Sequence, residues 1–99
     1  MKVSAVRGGG VGGMVVTIRL DSDALDAGAV ATLRGLVDAC SFADRPPTRR
    51  ADGVRVELTV EDGSLVSRAR FDEHDPPDGA GPLLRWLLDQ PNAQRSVGR

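Results

Sequence analysis

The chain has 99 residues, a formal net charge of −1 and 3% aromatic residues. That is one domain near the lower size limit for an unstapled core, and its mixed charges exclude a global field that would recruit nucleic acid or an anionic membrane. The single cysteine, Cys40, excludes an intrachain disulfide; no apolar run is long enough to span a bilayer and no signal peptide is read behind Lys2, so a cytoplasmic protein is expected, with non-classical export as the other route.

Residues 2–7 read as a first strand, with Val3 and Ala5 on one face. Residues 14–20 read as a second, because Met14, Val16, Ile18 and Leu20 recur every second residue. Pairing Arg7 with Met14 would set Ala5 against Val16 and Val3 against Ile18. Asp26 is the expected N-cap of a helix running to about Cys40, with Asp21 and Asp23 as alternatives. Val30, Leu33, Leu36, Val37 and Cys40 form its apolar stripe. Gly28 and Gly35 each cost about 1 kcal/mol relative to Ala; Gly35 is expected to let the helix lie close to the sheet.

Residues 43–53 form a polar loop with Pro46, Pro47, Arg45, Arg49 and Arg50. A third strand over 54–60 alternates Val54, Val56, Leu58 and Val60 with Arg55, Glu57 and Thr59. Asp62-Gly63 signals a two-residue hairpin turn. It would pair Glu61 with Ser64, Val60 with Leu65, Leu58 with Ser67, Val56 with Ala69 and Val54 with Phe71. An acidic loop over 72–81 leads to a short helix with Pro82 in its first turn, apolar Leu83, Leu84, Leu87 and Leu88, and Trp86 beside them. Pro91 stops it. The expected fold is α+β with ββαββα order: a four-stranded antiparallel sheet with two helices packed on one face. Residues 1–90 are the domain and 91–99 a disordered tail.

Between the first two strands stands Gly8-Gly9-Gly10-Val11-Gly12-Gly13. Gly8, Gly10 and Gly13 fit a G-x-G-x-x-G fingerprint, but that motif needs a helix opening on its last glycine to hold a pyrophosphate. A strand follows instead, so the loop is a hairpin tip. Ordering so many glycines is entropically costly, and Val11 and Met14 put apolar groups where a plain solvent loop would be polar. Both features point to a partner-binding loop.

Catalytic chemistry is missing. His74 is the only histidine, and no nucleophile elbow accompanies it. Cys40 reads as a small core residue rather than a nucleophile. The acidic stretch has no calcium-loop spacing and is broken by prolines. The cluster of Arg45, Arg49 and Arg50 lacks aromatic neighbours for base stacking. No metal, no cofactor and no enzyme activity are expected.

Taken together, certain segments resemble the emfourin family, proteinaceous inhibitors of protealysin and other thermolysin-like metalloproteases. They are Gly9-Gly10-Val11-Gly12-Gly13, then Leu20-Asp21-Ser22-Asp23-Ala24-Leu25 before a helix ending near Leu36-Val37-Asp38-Ala39. Asp52-Gly53-Val54, Leu58-Thr59-Val60 before Asp62-Gly63, and Pro82-Leu83-Leu84-Arg85-Trp86-Leu87 complete the set. The likeness covers residues 1 to about 90. In the family pattern a bulky aromatic follows the glycine pair, where this chain has Val11; an aromatic of the third strand is also replaced by an aliphatic residue.

The resemblance implies an inhibitor whose partner is a thermolysin-like metalloprotease and which plugs the active-site cleft; the glycine-rich loop is expected to do the occluding, and a monomer is expected. Gly9, Gly10, Val11, Gly12, Gly13 and Met14 are then the protease-binding residues. Asp21, Ser22 and Asp23, taken to lie beside the base of the loop, are a weaker secondary contact. The alternative reading is a small non-catalytic interaction module that binds a partner without blocking it.

Overall fold

Alternating apolar side chains give each strand one face to bury, and the order of elements follows from covering those faces. The computed structural model describes residues 1–9, 13–47 and 53–98. A first hairpin, β1 (Lys2–Gly9) and β2 (Val15–Asp21), leads through a 3₁₀ turn (Ser22–Ala24) to α1 (Ala27–Asp38). A second hairpin, β3 (Val54–Asp62) and β4 (Leu65–Asp72), leads to α2 (Ala80–Leu88) and then β5 (Gln94–Gly98). The strands form one antiparallel sheet in the order β4-β3-β1-β2-β5. The α+β class is as expected, with five strands in place of four. The extra strand, β5, is built from residues read from the sequence as a disordered tail.

Cross-strand partners meet on the inner face. Val3 stands between Leu20 and Val60, and Ala5 between Ile18 and Leu58. All six are buried. Phe71 and Ala69 extend this face, and Leu33 of α1 with Leu83, Leu84 and Leu87 of α2 close over it. Fully burying one Val, Leu, Ile or Phe side chain contributes about 1.5–3 kcal/mol, so this layer dominates stability. Only Leu33 of the α1 stripe is fully buried; Val30, Leu36, Val37 and Cys40 are half-buried.

Both hairpin registers differ from the expected ones by a two-residue slip. Arg7 pairs with Val16, not Met14, so Ala5 meets Ile18 and Val3 meets Leu20. In the second hairpin Asp62 pairs with Leu65, Val60 with Ser67, Leu58 with Ala69 and Val56 with Phe71. The side-chain period is two, so such a slip keeps every residue on its face. Gly63 has φ +62° and no non-glycine residue among those described has positive φ. That fits a Gly63-Ser64 turn with glycine first, the II′ pattern, rather than Asp62-Gly63 as I′.

Asp26 caps α1 as expected, its Oδ1 accepting from Ala29 N at 2.8 Å, worth about 1 kcal/mol. Gly35 is exposed and a Cβ there would meet nothing within 4 Å. It therefore does not bring α1 close to the sheet. After α1 the chain follows the outer edge of β4: Arg45 N donates to Arg70 O at 2.8 Å, and Arg70 N donates to Asp44 Oδ1 at 3.0 Å. These bonds cover part of an edge that would otherwise be open to pairing.

Candidate functional site

The glycine-rich loop leaves the sheet at the end that carries Gly9, Val15, Val54 and Asp72. Gly9 closes β1, is exposed, and has φ +97°. A Cβ on it would lie 3.1 Å from Gly53 O, so the loop base is packed backbone against backbone. Gly13 has φ +63° and is exposed, and Met14 is half exposed at 50%. Gly10, Val11 and Gly12 lie outside the described residues, as do Arg49 and Arg50.

The two stems of the loop are held differently. On the outgoing side Gly8 pairs with Arg55 and Gly9 with Val54, both on β3. On the returning side the β1 ladder ends at Arg7 and Val16, and Val15 pairs with Gly98 of β5. The two stems are thus flanked by different strands, β3 on the outgoing side and β5 on the returning side, and they stay close at Gly8, where a Cβ would lie 3.4 Å from Val15 Cγ2.

Ion pairs stiffen the same end. Arg7 continues the inward parity of Val3 and Ala5, and its Nε and Nη2 both lie 2.5 Å from Glu73 Oε2. Glu73 N donates to Val54 O at 2.9 Å, tying the acidic stretch to the start of β3. Asp72 is buried, at 3% exposure. A buried carboxylate requires a partner, and Arg55 Nη1 donates to its Oδ1 at 3.0 Å and to Arg45 O at 3.1 Å. The acidic loop is therefore partly structural rather than wholly solvated. The inward parity of Arg7 was the available signal for its pair; nothing in the chain pattern singled out Glu73.

Asp21, Ser22 and Asp23 stand elsewhere. Asp21 pairs with Lys2 at the far end of β2, six strand steps from Val15, or roughly 20 Å. Their groups are engaged locally. Asp21 Oδ1 accepts from Asp23 N at 3.0 Å, and Ser22 Oγ accepts from the Met1 ammonium at 3.0 Å. The expected position beside the loop base is corrected: adjacency along the chain becomes separation when the intervening residues are an extended strand.

Among the described residues, two concavities on the sheet differ in their relation to the loop. One, of about 230 Å³, adjoins the loop stem and is lined by Val6, Gly8, Val15, Arg55, Glu57 and Arg70 among others. The larger, of about 470 Å³, lies at the far end among Lys2, Arg19, Asp21, Glu61 and Asn92. It mixes cations and anions and is remote from the glycine loop. Among the described residues no three His, Cys, Asp or Glu side chains converge on a point, and no helix is long and apolar enough to cross a membrane.

No curated protein and no solved structure matches the chain. The family model described as Emfourin matches residues 6–88, a span that takes in the end of β1, the glycine-rich loop, β2, the second hairpin and both helices, and the chain belongs to the emfourin family.

Proposed function

We propose that this protein is a stoichiometric inhibitor of a thermolysin-like zinc metalloprotease and that its glycine-rich hairpin loop occludes the active-site cleft. Membership of the emfourin family carries this reading. The geometry is compatible with it. A loop of low side-chain bulk, raised at the end of a sheet on two paired stems, can enter a narrow cleft and hydrogen-bond along it through its backbone. Pre-ordered stems lower the entropy lost on binding.

Val11 and Met14 supply the apolar groups for a pocket that favours a bulky residue after the scissile bond. Gly9, Gly10, Gly12 and Gly13 keep the rest of the loop narrow. The reading involves no capture of the catalytic zinc by a protein side chain: inhibition is steric and substrate-like. Asp21, Ser22 and Asp23, at the other end of the sheet, could meet the same enzyme only through a second, distant contact, so the glycine loop is the primary one. The active unit is a monomer of one domain.

The test is a titration of the purified protein into thermolysin and into a protealysin-like enzyme, following cleavage of a short peptide. Activity should fall to near zero close to one equivalent. Binding without loss of activity would replace this reading by that of an interaction module.

A further inference from the structure

We propose that β5 is a brace for the glycine-rich loop, setting its affinity for the protease from the side opposite the loop's own hairpin partner. This rests on the inhibitor reading above.

The stem asymmetry carries the proposal. The outgoing stem, Gly8 and Gly9, is held by β3. The returning stem leaves the β1 ladder after Val16, so Val15 has its ladder partner in β5, at Gly98, and Val16 is flanked by Val97 as well as by Arg7. Without β5, Val15, the first residue of β2, would lose its ladder partner Gly98, leaving only the packing against Gly8, and β2 would be an open edge.

What β5 lacks points the same way. All five of its residues are exposed, and Val97 is 62% exposed, so it adds little to the core. It also lies beyond residues 6–88, the span matched by the family model. Yet it is deliberately anchored. Asn92 Nδ2 donates to Ala24 O at 3.1 Å, Ala93 packs against the core, and Arg95 Nη2 donates to Leu88 O. These contacts aim the strand along β2 toward the loop. Its contribution is backbone pairing, and the place where that pairing is unshared is the loop stem. Stems held on both sides cost less ordering on binding, which raises affinity by preorganisation and shows mainly as slower dissociation.

The experiment compares the full chain with three variants. In Ser96→Pro/Val97→Pro one of two successive N–H groups must be the one facing β2, because strand N–H directions alternate, so pairing is broken whichever it is. Ser96→Thr/Val97→Thr changes the side chains and keeps strand propensity. A chain ending at residue 93 removes the strand. Each is measured by protease titration with dissociation rates, and by hydrogen exchange over residues 13–21 and over β3 and α2.

The proline variant and the truncation should lose protection over residues 13–21, keep it in β3 and α2, and bind at least tenfold more weakly through faster dissociation. The threonine variant should match the full chain. A proline variant that loses protection at residues 13–21 but inhibits within twofold of the full chain overturns the brace. So does loss of protection throughout β3 and α2 in both disrupted chains, which would make β5 part of the cooperative fold. If the full chain inhibits no protease, the inhibitor reading fails. Exchange at residues 13–21 then decides the stem contact alone: loss in the proline variant supports it and unchanged protection overturns it.

Discussion

Arg7 and Glu73, 66 positions apart in the chain, meet at 2.5 Å where the glycine loop leaves the sheet. The pair joins β1 to the segment after β4, and Glu73 is bonded in turn to the start of β3 through Val54 O. Both side chains are about one-third exposed, at 29% and 38%. Exposed pairs of this kind contribute roughly 0–1 kcal/mol. Glu73→Gln should therefore lower Tm by no more than about 4–8 °C at low salt, and the gap from the parent should shrink as salt is added. Thermal melts at two ionic strengths read this directly. A loss that salt does not reduce would show that the contact acts through packing rather than charge.

The loop base is more sensitive. Gly9 has φ +97°, and its missing Cβ would stand 3.1 Å from Gly53 O. Gly9→Ala meets both a disfavoured backbone and a close carbonyl, at a cost of about 1–3 kcal/mol. Gly13 has φ +63° with nothing within 4 Å of a Cβ, so Gly13→Asn should cost only a few tenths of a kcal/mol, since Asn tolerates this region. Chemical denaturation of the two variants should rank them in that order, and the inhibition constants should follow the same rank.

Val11→Asp tests the loop's assignment to an apolar pocket. Burying an unpaired carboxylate there would cost several kcal/mol, which is about a hundredfold or more in the inhibition constant. Thermal stability should stay with the parent, because position 11 falls between β1 and β2 in the chain and belongs to neither strand. An unchanged inhibition constant would remove Val11 from the contact and leave Met14 as the apolar residue to test.

The sequence shows faces more clearly than partners. Val3, Ala5, Ile18, Leu20, Val56 and Leu58 all lie on the buried side that their alternation indicates. The pairings Arg7 to Val16 and Val56 to Phe71 were not legible, because a two-residue slip leaves every apolar residue facing inward. Only the turn distinguishes the alternatives, and there Gly63 takes the first central position rather than the second. Gln94–Gly98 holds a single strongly apolar residue, Val97, so no side-chain pattern marks it as a strand. Its pairing arises from the open backbone edge of β2, a property of the folded sheet. Gly8-Gly9 and Met14 were legible as loop flanks, whereas the remoteness of Asp21 from them depends on β2 running its full length.

Cys40 gives a pH-dependent prediction. It is half-buried past the end of α1, and burial pushes its thiol pKa up from the ordinary value. The unfolded chain, with the lower thiol pKa, loses this proton first as pH rises. The associated stability is thus fully present below the unfolded thiol's pKa and declines as pH climbs through the folded one. Alkylation of the native protein near pH 8 should be slower than that of the chain in denaturant, and Cys40→Ser should flatten the alkaline decline in stability. Equal alkylation rates in both states would show a solvated thiol.

Gly35 offers a stabilising change that leaves the loop end alone. It lies inside α1, is exposed, and a Cβ would meet nothing within 4 Å. Glycine inside a helix costs about 0.5–1 kcal/mol relative to alanine, largely through the entropy of the unfolded chain. Gly35→Ala should therefore raise Tm by roughly 2–8 °C in a domain of this size. Gly28→Ala is a weaker test, since a Cβ there would approach Asp26 Oδ1, the capping oxygen, at 3.5 Å. Because α1 lies on the opposite side of the sheet from the uncovered face beside the loop stem, inhibition by Gly35→Ala should equal that of the parent. A rise in Tm accompanied by weaker inhibition would mean that the protease contact depends on flexibility in α1, and would extend the interface from the glycine loop to the helical layer.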